Sequence, residues 1–230
     1  MADRFTSSTM AGMRWVAQRG ILRPIVWRIT KVTVTGLDNI RDLEAPFVAV
    51  ANHSSHLDAP LVIGALPSKI SRYLAAGAAA DYFFDVRWRK WLTALFFNAF
   101  PVERGASRTR VGVSKSLLER GVPLLIFPEG SRSKTGEMGR FKPGAASLST
   151  AAGVPILPIA LIGASTAMPR GRNWPVRGRL PVCVAFGAPM RQGAEETAEE
   201  YSNRVAQTIR HLRETIQPTG VPVHAEEGTR

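Results

Sequence analysis

The sequence predicts an α/β fold with a mostly parallel central sheet flanked by helices. Short apolar runs of strand length alternate along the chain with longer segments of helical character. Several of these runs are apolar at every position, which favours strands buried on both faces. The chain has 230 residues and is 45% apolar, so it is long enough and apolar enough to bury its own core.

The predicted strands are, in chain order, 31–35, 47–51, 73–79, 100–102, 123–127, 156–162 and 182–186. Gly36 provides a turn after the first strand, and Pro46 precedes the second. Pro128 ends the strand 123–127, because proline lacks the N–H that a ladder needs.

The predicted helices are 59–66, 83–97, 108–120, 142–152 and 195–216. Pro143 stands near the start of the fourth helix and Gly153 follows its end, which is the usual placement of each residue type. The last helix begins with an acidic turn, which suits the positive end of the helix dipole.

Residues 1–30 form a basic amphipathic segment that we expect to be helical and to associate with a membrane. Its apolar side chains are interleaved with Arg14, Arg19, Arg23 and Arg28, and Pro24 indicates a break. The alternative is a helix packed on the protein's own core with its arginines in solvent. No run approaches the about 20 apolar residues of a spanning helix, and no secretory signal is recognisable.

The main domain is expected to cover 31–217, followed by a disordered tail at 218–230. The formal net charge is +12, and because the 40 residues from Arg191 onward carry −2, the first 190 carry +14. Such a charge favours an anionic partner: a phosphate-bearing substrate, an anionic bilayer or nucleic acid. Nucleic acid is disfavoured, because the aromatic residues lie in apolar segments rather than in a stacking pattern.

Cys183 is the only cysteine, which excludes an intramolecular disulfide framework and a cysteine-based zinc ribbon. The single cysteine also favours a reducing compartment.

The loop 52–58 follows an apolar strand directly and contains His53 and Asp58. A histidine and an aspartate five residues apart can meet if the loop turns back. The carboxylate would then accept the Nδ1 proton and leave Nε2 free as a base. No serine nucleophile is needed if the substrate supplies its own hydroxyl.

Three other interpretations of this loop stay open. His53, His56 and Asp58 are possible metal ligands, although the zincin spacing is absent and the two remaining histidines lie near the C-terminus. A serine of the loop could act as a nucleophile, although no glycine elbow surrounds it. The loop could also be a plain helix N-cap, because Asn, Ser and Asp are favoured there.

A second loop, 127–133, also follows an apolar strand and contains Glu129, Gly130 and Arg132. Gly130 permits a positive φ or close backbone approach. Arg132 supplies a planar guanidinium that matches phosphate oxygens, and Glu129 could orient it or bond a substrate hydroxyl. A surface turn with an exposed arginine is the alternative. The strand end at 100–104 delivers a further arginine, Arg104.

Four blocks of sequence occur here in a fixed order. They are Asn52-His53-x-x-x-x-Asp58, the apolar stretch 100–104 ending in Arg104, Phe-Pro-Glu-Gly-Ser-Arg-Ser at 127–133, and Val-Pro-Ile-Leu-Pro at 154–158. With them the chain resembles the glycerolipid acyltransferase family, specifically the 1-acylglycerol-3-phosphate acyltransferases that make phosphatidic acid. Asn98 and Pro101 stand where the family's second block usually has glycine and an aliphatic residue, which weakens the carry-over of acceptor binding.

The resemblance implies catalytic roles for two residues. His53 would remove the proton from an acceptor hydroxyl, which attacks the thioester of acyl-CoA or acyl-carrier protein. Asp58 would hold the imidazole in the correct tautomer. No cofactor and no metal are expected.

The resemblance also implies a substrate-binding set. Its members are Asn52, Arg104, Glu129, Gly130, Ser131 and Arg132. The two arginines would hold the acceptor phosphate. Other members of such a family acylate glycerol 3-phosphate or a glycosylated phospholipid. The expected location is the cytoplasmic face of the cell membrane, as a peripheral or monotopic protein.

Overall fold

The computed structural model describes residues 4–79, 93–102, 108–221 and 223. The strands are β1 Lys31–Thr35, β2 Val48–Ala51, β3 Ala75–Ala79, β4 Phe100–Val102, β5 Leu124–Ile126, β6 Ile156–Ile162 and β7 Pro181–Phe186. The helices are α1 Ser8–Ala17, α2 Arg23–Ile29, α3 Asp58–Ala65, α4 Ser68–Ser71, α5 Arg108–Glu119, α6 Gly144–Ala151, α7 Ala164–Ala167 and α8 Ala198–Thr215. The predicted α/β class is confirmed.

The sheet has the strand order β1-β7-β6-β2-β5-β3-β4. The five strands from β6 to β4 run parallel to one another. β7 is antiparallel to β6, and β1 is parallel to β7. The sheet is therefore mostly parallel, and β1 and β7 begin at the edge where the other five strands end. We call that edge the carboxyl edge.

Apolar layers cover both faces of the sheet. Ala49 and Ala51 of β2 belong to one layer, which includes the helix α3, and Val48 and Val50 belong to the other, which includes α8. β2 is buried at every position because both of its faces are covered. This explains why its sequence is apolar without alternation.

The last helix begins at Ala198, three residues later than the acidic turn predicts. Thr197 is its N-cap: the Thr197 hydroxyl accepts from the Glu200 N–H, and the Glu200 carboxylate accepts from the Thr197 N–H. This reciprocal capping box fixes the start of the helix more strongly than the dipole does. Of the predicted helix 83–97, residues 93–97 are helical and 83–92 lie outside the described residues.

The N-terminal segment is helical from Ser8 to Ile29, with a π turn at Gln18–Leu22 just before Pro24. Its inward face buries polar side chains beside the apolar Ala11, Ala17 and Val26. Arg14 is fully buried and donates to the carbonyl of Arg72 at 2.7 Å and to Asn98 Oδ1 at 3.1 Å. Burial, followed by the charge of Arg4, lowers the pKa of Arg14 to about 10.

The outward face of the same segment is apolar. Its exposed large side chains are Met13, Trp15, Val16, Ile21 and Ile25. The segment packs on the protein, as the alternative interpretation expects. It also leaves large apolar side chains exposed, which suits the expected contact with a membrane. In the described part of the chain, no helix is both long enough and apolar enough to cross a bilayer.

The start of the predicted tail forms a turn. The N–H of Gln217 donates to the carbonyl of Val221 at 2.8 Å, and the N–H of Gly220 donates to Gln217 at 2.8 Å. The expectation of disorder at 224–230 concerns residues outside the described range.

Candidate active site

The two loops singled out by the sequence lie together at the carboxyl edge. The loop 52–58 follows β2 and the loop 127–133 follows β5, and β2 and β5 are neighbours in register. The N–H of Ser133 donates to the His53 carbonyl at 2.8 Å, which joins the two loops directly. Ligands bind at this edge in open parallel sheets.

His53 and Asp58 form a close pair. His53 Nδ1 lies 2.8 Å from Asp58 Oδ2. The side chain of His53 is 23% exposed, whereas that of Asp58 is completely buried. Because an ionised carboxylate can only accept, Nδ1 carries the proton and Nε2 is left as the basic nitrogen.

Asp58 is itself held by backbone donors. Its Oδ2 also accepts from the N–H of Ser54 at 2.6 Å and from the N–H of Ser55 at 2.8 Å. Asp58 is the first residue of α3, where a negative charge is favoured by the helix dipole. Its other oxygen, Oδ1, is buried and has no hydrogen-bond partner among the described residues. The three donors on Oδ2 therefore fix the carboxylate that orients the imidazole.

The imidazole ring is also held from one face. Phe127 stacks on His53, with the ring centroids 4.2 Å apart and the planes 20° apart. The sequence shows that a phenylalanine opens the block 127–133. It does not predict that this ring stacks on the histidine. The contact restricts ring rotation, so the base keeps its orientation toward the loop edge.

Glu129 braces the two loops. Its Oε1 accepts from the N–H of His53 at 2.7 Å, and its Oε2 accepts from the N–H of Gly139 at 3.0 Å. Burial raises the pKa of Glu129, and the two backbone donors oppose that rise. The sequence predicts Glu129 as a substrate-binding residue. Both carboxylate oxygens accept from backbone N–H groups, which favours a positioning role, and the contact of Glu129 with substrate stays a prediction.

Asn52 has a similar role. It is buried, its Nδ2 donates to the carbonyl of Leu161 at 3.0 Å, and its Oδ1 accepts from the N–H of Leu161 at 2.8 Å. These two bonds tie the end of β2 to β6. These contacts favour a structural role that holds the histidine loop in place, and the contact of Asn52 with substrate stays a prediction.

The serines of the loop are engaged as well. The hydroxyl of Ser55 donates to the carbonyl of Met168 at 2.9 Å and accepts from the N–H of Leu57 at 3.2 Å. Ser54 is buried. These contacts disfavour either serine as a nucleophile.

Beside the histidine loop lies a basic pocket of about 340 Å³. The cationic residues of its lining are Arg132, Lys134, Arg140 and Arg170. Arg132 is half-buried, and its Nη1 is buried without a hydrogen-bond partner among the described residues. The lining also holds Glu129, which is occupied by backbone donors, and Glu137, and Arg140 is paired with Glu199. Arg132, Lys134 and Arg170 still leave the pocket with an excess of positive charge, which suits an oxyanion.

Gly130 lies in the turn that leads to the pocket, and Ser131 is on the pocket lining. Gly130 has a φ of +76°, which glycine adopts without strain, and its N–H donates to the Phe127 carbonyl at 3.1 Å. Ser131 is exposed on the lining.

The structure also brings in residues that sequence reasoning missed. Lys134 follows the block 127–133 closely, whereas Arg170 comes from a distant loop and donates from Nη1 to the carbonyl of Arg132 at 2.9 Å. No local motif predicts Arg170 at this place. Arg104, predicted as a phosphate ligand, lies outside the described residues. Among the described residues, no group of three or more His, Cys, Asp or Glu side chains could hold a metal ion.

Comparison with known proteins places this fold and these loops in one family. The model of the Acyltransferase family matches residues 31–162, which include the loops 52–58 and 127–133. The chain therefore belongs to the Acyltransferase family.

Individual relatives agree with this assignment. The chain is 31% identical over 182 residues to a 1-acyl-sn-glycerol-3-phosphate acyltransferase of Chlamydomonas reinhardtii, covering 78% of this chain and 53% of that protein. It is 32% identical over 188 residues to the chloroplastic 1-acyl-sn-glycerol-3-phosphate acyltransferase BAT2 of Brassica napus, covering 80% and 52%. The chain thus spans about half the length of the curated relatives it matches.

A solved structure is also similar. The crystal structure of the 1-acyl-sn-glycerophosphate (LPA) acyltransferase PlsC from Thermotoga maritima matches with a TM-score of 0.66 and 26% identity. The match covers 86% of this chain and 81% of that chain.

Because Arg170 lies beyond the family match at 31–162, the fourth cation of the basic pocket comes from outside the matched segment.

Proposed function

We propose that this protein transfers a fatty acyl group from acyl-CoA or acyl-carrier protein to the free hydroxyl of 1-acylglycerol 3-phosphate, giving phosphatidic acid. The observation that carries the proposal is the His53–Asp58 pair, 2.8 Å apart, beside a basic pocket. A base and an anion site at one sheet edge suit an acceptor that carries both a hydroxyl and a phosphate. The names of the relatives support the same acceptor.

His53 acts as the general base in this mechanism. Its Nε2 takes the proton of the acceptor hydroxyl as the oxygen attacks the thioester carbonyl. Asp58 stabilises the imidazolium that forms, because its charge lies against Nδ1–H. As the tetrahedral intermediate collapses, the C–S bond breaks and the imidazolium returns the proton to the leaving thiolate. The exchange of a thioester and an alcohol for an ester and a thiol balances without a cofactor.

Arg132 holds the acceptor phosphate. A guanidinium can donate two parallel bonds to phosphate oxygens, and Arg132 lines the basic pocket. Arg104 is proposed as a second ligand from the resemblance alone. Fixing the phosphate holds the acceptor hydroxyl at the imidazole. The hydroxyl then reacts within one bound complex and not through a random encounter.

The proposed location is the cytoplasmic face of the cell membrane, with peripheral attachment. The exposed apolar face of α1 and α2 supports it, because interleaved arginines and apolar side chains suit an anionic interface. A bilayer is also where the acceptor and the product reside.

An acyl-transfer assay tests the proposal. The full chain is mixed with acyl-CoA or acyl-carrier protein and a panel of acceptors: 1-acylglycerol 3-phosphate, glycerol 3-phosphate, a glycosylated phospholipid and a lysophospholipid without a phosphomonoester. We expect phosphatidic acid from the first acceptor as the fastest product. Faster acylation of glycerol 3-phosphate or of the glycosylated lipid would assign that compound as the acceptor in place of 1-acylglycerol 3-phosphate. Failure with every acceptor and both donors would overturn the function.

A further inference from the structure

The loop 169–180, which connects α7 to β7, carries an unusual concentration of charge. It contains four arginines, at 170, 172, 177 and 179, and no acidic residue. At its centre, Trp174 is 66% exposed, more than the other exposed large hydrophobic side chains of the described residues. A tryptophan with arginines on both sides is a composition that suits the surface of an anionic bilayer.

The direction of the strands places this loop at the carboxyl edge. β6 ends at that edge, and β7 begins there because it is antiparallel to β6. β1 pairs in parallel with β7, with Lys31 opposite Pro181, so the end of α2 lies at the same edge. The loop, the end of the amphipathic N-terminal segment and the His53 loop therefore share one edge.

Hydrogen bonds connect the loop to both neighbours. Arg179 Nη2 donates to the carbonyl of Trp27 on α2 at 3.0 Å. At the other end, Arg170 Nη1 donates to the carbonyl of Arg132 at 2.9 Å. The loop thus bridges the end of α2 and the basic pocket.

The shape of the loop is fixed internally as well. The N–H of Val176 donates to the carbonyl of Ala167 at 2.8 Å, and the N–H of Arg172 donates to the carbonyl of Pro169 at 3.2 Å. Arg172 Nε also lies 3.4 Å from the carbonyl of Trp174. These bonds hold Trp174 outward, so its exposure follows from the fold of the loop.

We propose that the loop 169–180 is a second lipid-contacting element, in which Trp174 enters the headgroup region of an anionic bilayer and Arg172 and Arg177 bind lipid phosphates. Tryptophan suits the interface because it has an apolar ring and a polar N–H, and arginine binds phosphate strongly. At the carboxyl edge the loop adjoins the end of α2, on which Ile25 is also exposed. The inference deepens the proposed function, since it sets the basic pocket against the surface from which a lipid acceptor arrives.

Vesicle binding by the full-length chain tests this element. The vesicles are either pure phosphatidylcholine or phosphatidylcholine with about 30 mol% phosphatidylglycerol. For Arg172→Gln with Arg177→Gln, we expect the partition coefficient on anionic vesicles to fall about 30-fold, and no change on neutral vesicles. For Trp174→Ala we expect a fall of about tenfold on both. Trp174→Phe should retain most of the binding.

Matched controls lie away from the carboxyl edge. Leu37 is 49% exposed and follows β1 at the opposite edge, so Leu37→Ala matches Trp174→Ala. Arg41 and Arg191 are exposed, and Arg191 bonds the carbonyl of Gly153, which precedes β6 at that opposite edge. Arg41→Gln with Arg191→Gln therefore removes the same charge as the arginine pair of the loop. Both controls should bind as the wild type does. Equal losses in the controls and the loop variants would overturn the proposal, because charge and apolarity alone would then explain binding.

The outcome is separable from that of the proposed function. Turnover of a short-chain lysophosphatidate, dissolved below its aggregation threshold, should be the same in the loop variants and the wild type. A wild type without acyl transfer refutes the proposed function, and vesicle binding still decides the role of the loop. Wild-type binding by all loop variants, with unchanged thermal unfolding, would refute the loop proposal, as would tighter binding of an RNA oligonucleotide than of anionic vesicles.

Discussion

The two loops at the carboxyl edge differ in how their functional groups are held. Three N–H donors fix Asp58 Oδ2, and stacking on Phe127 fixes the ring of His53. Arg132, in contrast, is half-buried with one nitrogen unpartnered among the described residues. The first loop is organised before substrate arrives, as proton transfer requires, whereas Arg132 of the second lines a pocket that suits an anion. Substitutions in the first loop should lower kcat, and substitutions in the second should raise KM.

The largest effect is expected for His53→Ala. Loss of the base should lower kcat about 10⁴-fold, because proton removal and its positioning fail together. His211→Ala is the matched control, since His211 is an exposed histidine on α8 and belongs to neither loop. Steady-state acyl transfer by both variants, with circular dichroism to verify folding, makes the comparison. A His53→Ala protein with wild-type turnover would remove the histidine loop from the mechanism.

Asp58→Asn should lower kcat about 10³-fold, because an amide does not stabilise the imidazolium or select the same tautomer. The combination His53→Ala with Asp58→Asn should be no slower than His53→Ala, since the two residues act as a unit. Rates of the two single variants and the double variant test this coupling. If the kcat loss of the double variant equalled the product of the two single losses, Asp58 would act independently of the histidine.

Asn52→Ala separates structural support from substrate contact. Without its amide, the N–H and carbonyl of Leu161 lose buried partners, so we expect a loss of about 3 kcal/mol in the free energy of unfolding. KM for the acceptor should stay unchanged in the folded protein. Urea unfolding and initial rates measure the two quantities, and a raised KM with unchanged stability would support the substrate-binding role.

Arg132→Ala should raise KM for the phosphate-bearing acceptor about 30-fold, with kcat nearly unchanged, because charge-assisted bonds to phosphate are lost. Arg132→Lys should recover part of the affinity through its charge without the bidentate geometry. Initial rates over a range of acceptor concentrations give both constants. A fall in kcat alone would place Arg132 at the reacting centre instead.

The smallest effect concerns the pKa of His56, which depends on charged groups of both loops. Partial burial lowers its pKa, and the charges of Arg132 and His53 lower it further. An anion at Arg132 offsets the guanidinium charge, so bound glycerol 3-phosphate should raise the pKa of His56. NMR titration with and without the ligand measures the change, with His211 as the internal control. A pKa that stays constant at saturation would place the anion elsewhere.

Much of this arrangement follows from local sequence signals. The apolar runs predict β2 and β6, and the spacing of His53 and Asp58 permits the contact that the structure shows. The reversal of β7 and β1 has no such signal, because an apolar run does not encode strand direction. The bracing role of Glu129 is equally hidden, since it depends on backbone N–H groups that no side-chain pattern reveals. Arg170 reaches the basic pocket only through tertiary folding.

The central claim is that the acceptor's own hydroxyl, activated by His53, attacks the acyl donor. Mass measurement of the intact protein, quenched rapidly after mixing with acyl-CoA or acyl-carrier protein alone, tests it most directly. The account predicts an unchanged protein mass, and release of thiol only once the acceptor is added. An added acyl mass on the peptide that contains Ser54 and Ser55 or on the one that contains Ser131, formed fast enough for turnover, would contradict it.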